Sequence, residues 1–521
     1  MKPDYDYIII GSGFGGAVSA LRLSEKGYKV LVVEKGKWYQ AEDFAKTNWN
    51  LKKWLWMPFF RFFGIMKISI FRHAAILSGT GVGGGSLVYA NTLPIPKKEF
   101  YETGTWSKLL DWQKELSPYY QKALEMLGAA KNPQIYHGDF ELKKLADELN
   151  LSDQFEHTNV SVFFGKENEM VKDPYFNGEG PDRAGCNFCG ACMTGCRHHA
   201  KNTLDKNYLY LAQKKGAEII AENEVFQVSP MKAEDGADGY EVFLRSSTHV
   251  FGKKQKFTSK GVVFSGGVMG TVKLLLKMKA KHLPRLSDCL GDHIRTNNET
   301  LVSVSTLDAE KDISKGVAIG SILQTDENSH LEIVRYSEGS NFWRLFHLPY
   351  ATGKNVFIRF WNTLKVFMKS PKDYFRIYFV NSWSKKTVVL LFMQTVDSTL
   401  KLRRNWFGRM VSSVGFGKKP TPFIPESIEL TEKYSRMTNG KASSFILESL
   451  AGIPSTAHVL GGAVMGAHAE EGVIDENNHV FGYENMLVID GAMISANPGV
   501  NPSLSITAIA ERAMDQIPTK A

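Results

Sequence analysis

Four of the five cysteines in this 521-residue chain fall within eleven positions, in the stretch AGCNFCGACMTGC. The spacing Cys186-x2-Cys189-x2-Cys192-x3-Cys196 lets thiolates converge on one point, as iron–sulfur ligands of the bacterial ferredoxin type do. Three chemistries fit it. An iron–sulfur cluster can draw on Cys186, Cys189 and Cys192 with either Cys196 or the remote Cys289; zinc can take a tetrahedral set of four; or the thiols remain reduced or pair as a disulfide. Arg197 follows the last cysteine where the ferredoxin run carries proline, so the spacing alone does not choose among them.

A second constellation opens the chain, in YDYIIIGSGFGGAVSALRLSEKGYKVLVVEKG. The apolar run Tyr7–Ile10 suits a buried parallel strand, Gly11-x-Gly13-x-x-Gly16 opens a helix, and Val30–Val33 makes a second strand ending at Glu34. Gly11 allows the tight turn, Gly13 lets a pyrophosphate approach bare backbone, and Gly16 lets helix and strand pack closely. The helix N-terminus then presents free N–H groups to the phosphates. Glu34 stands where an acid accepts hydrogen bonds from an adenosine ribose, which disfavours a 2′-phosphate. This set predicts dinucleotide binding but not which dinucleotide.

Three later segments must position the chemistry. Leu77–Pro96 holds Gly79, Gly81, Gly83, Gly84, Gly85 and Ser86, a cluster that brings backbone against a flat ring or a diphosphate. Gly261–Lys279 reads as strand, glycine turn and helix. Asn485–Ile517 reads as a strand ending at Asp490-Gly491, a turn, and a helix with Pro502 at its first position.

With STAHVLGGAVMG (Ser455–Gly466), these segments resemble the glucose–methanol–choline (GMC) family of flavin oxidoreductases, most closely its cholesterol oxidase-like bacterial branch. The resemblance implies an α/β fold: a Rossmann-like FAD-binding domain interleaved with a substrate domain on a mixed or antiparallel sheet with helices. The expected division is 1–100, 200–302 and 445–521 for FAD, 101–199 for a cap with the cysteine-rich insertion, and 303–444 for substrate. It implies that Gly11, Gly13, Gly16 and Glu34 hold the ADP half of FAD. Gly83, Gly84, Gly85 and Ser86 would lie along the pyrophosphate and flavin, Val225 would meet adenine through its backbone, and Asp490 with Gly491 would hold the ribityl chain and ring edge.

Oxidising an alcohol removes a proton from oxygen and a hydride from carbon, so the site needs a base beside an electron sink, and histidine is the natural base. Thirteen histidines leave composition silent. His458 stands where the family carries its catalytic histidine, and Asn501 where cholesterol oxidase-like members carry the group that orients the substrate hydroxyl. Without the resemblance, His458 reads as a satisfied core or surface histidine and Asn501 as a helix N-cap. The sequence departs from the family pattern in having Val459 where many members have proline, and the glutamate with which cholesterol oxidases isomerise a steroid double bond has no assignable counterpart.

Two stretches, Leu51–Arg72 and Asn341–Phe379, interleave aromatic residues with lysine and arginine. Trp54, Trp56, Phe59, Phe60, Phe62 and Phe63 can dip toward acyl chains while Lys52, Lys53, Arg61 and Lys67 meet anionic lipid; alternatively both stretches are core helices or lids. Either use favours a lipophilic alcohol. A net charge of +9 would also suit nucleic acid, but no nucleic-acid-binding signature accompanies it. The start lacks a basic n-region followed by an apolar core and cleavage site, and no apolar run reaches the roughly 20 residues that span a bilayer. The expectation is a cytoplasmic enzyme, peripheral on the inner membrane face, passing electrons to oxygen, a quinone or a redox protein. The alternative is a membrane-associated flavoprotein without catalysis. A nicotinamide-dependent reductase would need a second complete strand, glycine turn, helix and acid set, and none is found.

Overall fold

The computed structural model describes residues 3–249, 252–308, 310–379 and 382–521. YDYIII forms the strand Tyr5–Ile10, buried along its whole length, as a parallel strand between helical layers requires. It lies inside a parallel set ordered Glu218–Ile220, Val30–Val33, Tyr5–Ile10, Lys254–Phe264. Met486–Val488 joins in parallel beside Val262, Val263 and Phe264. The first half of Lys254–Phe264 pairs instead with Tyr240–Ser246, and Asn223–Pro230 follows, both antiparallel. One sheet thus collects the two ends and the middle of the chain, and every exit from its parallel strands opens toward the same crevice, where α/β sheets bind ligands.

Gly11 sits at the first of these exits with φ +106°, and a Cβ there would lie 2.2 Å from the carbonyl oxygen of Ser265. Only glycine lets the chain turn so close beneath its neighbour. The helix Phe14–Glu25 starts at once and packs against Tyr208–Lys214 and Ser503–Asp515. Glu511 ties the three together: its carboxylate accepts from the Arg22 guanidinium through both oxygens at 2.8 Å and from the Tyr208 hydroxyl at 2.7 Å.

A second sheet of seven strands is antiparallel throughout, in the order His347–Pro349, Gly440–Phe445, Thr300–Thr306, Thr387–Gln394, Ser329–Val334, Ile319–Gln324, Phe155–His157. Its period of two decides which side chains reach the site. Leu331, Ile333, Val388, Leu390 and Phe392 pack on Leu142, Leu145, Leu430 and Tyr434 of the helices His137–Glu148 and Pro425–Met437. The intervening Val334, Val389 and Leu391 face the other way, into a cavity between the two sheets.

The aromatic-basic stretches divide between core and surface. Leu51–Arg72 is not one helix but a short helix Leu51–Trp54, the strands Trp56–Met57, Phe62–Phe63 and Met66–Ile70, and a 3-10 turn Pro58–Phe60. Trp54 and Trp56 are buried, so neither is available to a lipid surface, whereas Phe59 is 91% exposed. Lys67 lines the cavity instead of facing outward. Phe342 and Trp343 are also core, while the helices Val356–Lys369 and Pro371–Phe379 expose Phe357, Phe360, Trp361, Met368, Phe375 and Phe379. No helix among the described residues is long and apolar enough to cross a membrane.

Candidate active site

A single cavity of about 450 Å³ runs from the glycine turn of the first sheet to the inner face of the second. Its two ends have different chemistry. At one end the lining is backbone and charge: Gly11, Gly13, Glu34, Gly84, Gly85, Val225, Asp490 and Gly491, with Lys35, Lys67 and Lys273. At the other it is apolar: Met193, Leu301, Ile319, Val334, Trp343, Trp383, Leu391 and Phe445. His458 and Asn501 stand between them.

The glycine end fits a dinucleotide. Gly84 approaches Gly13 so closely that a Cβ on it would lie 2.6 Å from the Gly13 Cα, bringing the two glycine turns together. Gly13 itself faces open space, with no atom within 4 Å of where its Cβ would stand. Bare amides at the start of the helix Phe14–Glu25 therefore border the cavity, the arrangement that receives a diphosphate. Glu34 lines the same wall and holds both turns, its carboxylate accepting from the Ser12 amide and hydroxyl at 3.2 and 2.8 Å, from Gly36 at 2.8 Å and from Gly81 at 3.4 Å. Asp490 accepts from the Thr271 hydroxyl at 2.5 Å and the Ala492 amide at 2.7 Å, and burial pushes its carboxyl up to about 6. Gly16, Gly83 and Ser86 stand behind this wall rather than in it. A Cβ on Gly16 would meet the Gly11 carbonyl at 2.1 Å, and the Ser86 hydroxyl donates to the Gly83 carbonyl at 2.7 Å and accepts from the Leu204 amide at 3.0 Å. Their work is to shape the turns.

Two histidines line the cavity, and their surroundings separate them. Burial pulls His347 down to about 4; its Nδ1 donates to the Trp343 carbonyl at 2.8 Å, and Nε2 pairs with the Ser303 hydroxyl at 3.0 Å. It is neutral and satisfied. His458 meets a carboxylate instead, with Nδ1 2.9 Å from Glu299 Oε2, and Glu299 is 1% exposed in its side chain. Burial alone would lower His458, but the charge of Glu299 and its hydrogen bond more than offset it, with Glu332 adding to them, and the net direction is upward from 6.5. The pair fixes the tautomer: Nδ1 carries the proton toward Glu299, leaving Nε2 as the acceptor. Thr456 holds the dyad in place, its hydroxyl donating to the other Glu299 oxygen and accepting from the His458 amide at 3.0 Å.

Asn501 lies on the Nε2 side, its amide nitrogen 3.5 Å from His458 Nε2 and 3.4 Å from Glu332 Oε2. Its side-chain oxygen is buried without a hydrogen-bond partner, and Glu332 Oε1 has only His330 Nε2 near it, at 3.6 Å. An N-cap role does not account for the residue, because the helix Ser503–Asp515 has Pro502 at its N-cap and no side-chain cap bond. Pro502 therefore precedes the helix rather than occupying its first position. Glu299 and Glu332 were not legible in the sequence: one precedes His458 by 159 positions and the other lies inside an ordinary strand.

If His458 Nε2 takes a proton from substrate, kcat/KM rises with pH as His458 loses its own proton, at a value above the ordinary 6.5. Replacing Glu299 by glutamine removes the raising charge and leaves burial, so the acid limb is expected to move to lower pH while the plateau falls. Rate profiles of both proteins check this; an unmoved limb would assign it to another group.

The four clustered cysteines line a separate small cavity of about 20 Å³, with His198 and Lys201. Lys201 anchors this loop to the glycine turn by donating to the carbonyls of Cys192, Tyr89 and Leu87 at 2.8, 2.9 and 3.2 Å. Burial pushes Cys189 up to about 11, and Cys186 and Cys192 are raised as well, so these groups are thiols at neutral pH. All five cysteines are free. Among the described residues no group of three or more His, Cys, Asp or Glu is disposed to hold a metal ion. Cys289 does not line this cavity and donates instead to the Glu470 carbonyl at 3.1 Å, which removes it as a remote ligand.

Residues 177–295 and 376–510 match the GMC oxidoreductase family, and residues 6–43 match the FAD binding domain family. The chain is 45% identical to a cholesterol oxidase of Acinetobacter baumannii, over 99% of this chain and 95% of that one. It is 43% identical to a cholesterol oxidase of Mycobacterium tuberculosis, over 100% and 92%. Among solved structures, pyridoxine 4-oxidase from Mesorbium loti shares the fold with a TM-score of 0.63 at 12% identity, covering 98% of each chain. The chain therefore belongs to the GMC oxidoreductase family, on its cholesterol oxidase-like branch, and is a FAD-dependent alcohol oxidoreductase of that type.

Proposed function

We propose that this enzyme oxidises a hydroxyl of a sterol-like or other large lipophilic alcohol to a carbonyl, with His458 as base and Asn501 as the orienting group. The observation that carries the reading is the His458–Glu299 dyad with Asn501 beside it, placed where an apolar chamber meets the glycine cradle. Large apolar walls with a few convergent polar groups suit a hydrophobic alcohol with one reacting hydroxyl and leave most hydroxyls of a hexose without partners. The names of the two cholesterol oxidases at 43–45% identity support the same substrate class.

In this reading the alcohol O–H donates to His458 Nε2, and the Asn501 amide, with one atom unpartnered, holds the hydroxyl in line. As the proton moves onto Nε2, Glu299 stabilises the imidazolium through Nδ1. Gly13, Glu34, Gly84, Gly85, Val225, Asp490 and Gly491 would hold FAD, which when bound would supply the two-electron acceptor for the carbinol hydride. Molecular oxygen is the final acceptor we favour, on the strength of the oxidase relatives, with hydrogen peroxide as product. An iron–sulfur exit through Cys186, Cys189, Cys192 and Cys196 has the spacing in its favour and, against it, the lack of a three-ligand set among the described residues. Delivery of such a substrate favours contact with a lipid surface, for which Phe59, Phe60 and the two exposed aromatic helices are suited.

Peroxide release measured with a 3β-hydroxysterol, a long-chain primary alcohol and glucose, each in detergent micelles, tests the assignment. Turnover is expected with the sterol and no turnover with glucose. Best turnover with glucose would overturn the substrate class, and no reduction by any alcohol would favour a flavoprotein without catalysis.

A further inference from the structure

The strands Thr399–Arg404 and Met410–Val414 form a hairpin whose tip is Asn405-Trp406-Phe407-Gly408-Arg409. The tip is an ordered turn. The Gly408 and Asn405 amides donate to the carbonyls of Asn405 and Arg409 at 2.8 and 2.9 Å, the Asn405 side chain accepts from the Arg409 amide at 2.9 Å, and Gly408 takes φ +72°. This frame holds Trp406 and Phe407 outward, 96% and 82% exposed. Folding gains nothing from two large rings in water, and a turn needs neither residue type.

The charge carried by the hairpin itself has one sign. From Ser398 to Pro425 the sequence contains Lys401, Arg403, Arg404, Arg409, Lys418 and Lys419 and no acidic residue. Asp292 pairs with Lys401 and Arg403; the other four have no acidic partner within 4 Å among the described residues. Phe416 is exposed at the hairpin base, and His73 Nδ1 bonds the Ser412 hydroxyl at 2.8 Å, tying the hairpin to the turn after Met66–Ile70, where Ile68 and Ile70 are also exposed. Two rings at an ordered tip, flanked by Arg404, whose guanidinium otherwise only donates to the Gly408 carbonyl at 3.3 Å, and by Arg409, match an anionic bilayer, with acyl chains for the rings and phosphates for the guanidinium groups. An acidic protein would match the cations too, but two rings projecting 96% and 82% exposed from a narrow tip suit insertion between lipids better than the broad packed core of a protein interface.

We infer that this hairpin tip is a membrane anchor, inserting Trp406 and Phe407 below the headgroups of an anionic phospholipid surface while Arg404 and Arg409 hold the phosphates. The anchor is separate from the catalytic cavity and from the helices Val356–Lys369 and Pro371–Phe379, and it does not rest on the substrate assignment.

Flotation of the holoprotein with phosphatidylcholine vesicles, with and without phosphatidylglycerol, tests it. Wild type is expected to float with the anionic vesicles and to be released by salt. Trp406→Ser/Phe407→Ser is expected to bind them about tenfold more weakly or worse, and Arg404→Gln/Arg409→Gln to lose the preference for phosphatidylglycerol, both with wild-type melting temperature and wild-type turnover in detergent. Quenching by bromine-labelled acyl chains, seen in wild type and absent in Trp406→Phe, would place the indole below the headgroups. Equal vesicle binding by wild type and the Trp406→Ser/Phe407→Ser variant overturns the inference, as does a change of oligomeric state in that variant with no change in vesicle binding. A protein inert toward every alcohol but still held through its tip would remove the proposed reaction and support the anchor.

Discussion

His458→Ala is expected to lower kcat for a lipophilic alcohol by about 10²–10⁴-fold, the usual contribution of a positioned general base. Several features make the effect specific. His458 meets a buried carboxylate through Nδ1 and leaves Nε2 facing Asn501, whereas His347, the other histidine of the cavity, is satisfied at both nitrogens and held neutral. Removing the imidazole also leaves Glu299 buried without its partner, which costs stability. A fall in activity alone would therefore be ambiguous. The expected signature is a loss in kcat with FAD content retained, disappearance of the acid limb from the rate profile, and partial recovery with added imidazole. Wild-type turnover in His458→Ala would remove this residue from the mechanism.

The second large effect is on the cofactor. Gly13→Val is expected to weaken FAD binding about a hundredfold or more, equivalent to about 2.8 kcal/mol, while leaving the apoprotein folded. Gly13 has φ −71° and ψ −168°, which any residue adopts, and its Cβ position meets nothing within 4 Å. The new side chain thus goes into the cradle rather than into the protein. Gly15 is the control. A Cβ there would lie 1.8 Å from the Ile489 carbonyl oxygen, so Gly15→Val is expected to disrupt the fold itself. Bound flavin and melting temperature, measured together, separate the two: Gly13→Val colourless but cooperative in unfolding, Gly15→Val poorly folded. Full flavin content in Gly13→Val would move the diphosphate away from this turn.

Physical reasons divide what the sequence revealed from what it hid. Tyr5–Ile10, the Gly11 turn and the helix after it were legible because strand, turn and helix each need particular residues at close spacing. His458 and Asn501 were legible only through the resemblance, since their partners come from distant strands. Glu299 had no local signal: its role appears when the second sheet brings Thr300–Thr306 beside the segment carrying Thr456 and His458. Trp54 and Trp56 misled because aromatic content does not say which way a side chain points, and the short strands after Leu51–Trp54 turn them inward. The four clustered cysteines line one small cavity, yet among the described residues no metal-ligand set forms there, because convergence along the chain is not ligand geometry. The Trp406 hairpin was missed because two exposed rings at a turn differ from two buried ones only in three dimensions.

The most direct test is an anaerobic titration of the natively purified protein with a 3β-hydroxysterol, followed by its visible spectrum and accompanied by iron and sulfide analysis. The expected result is a yellow protein with one FAD per chain, bleached by the sterol in the wild type and far more slowly in His458→Ala. A colourless protein that refuses added FAD, or a flavin that no alcohol bleaches, would contradict it.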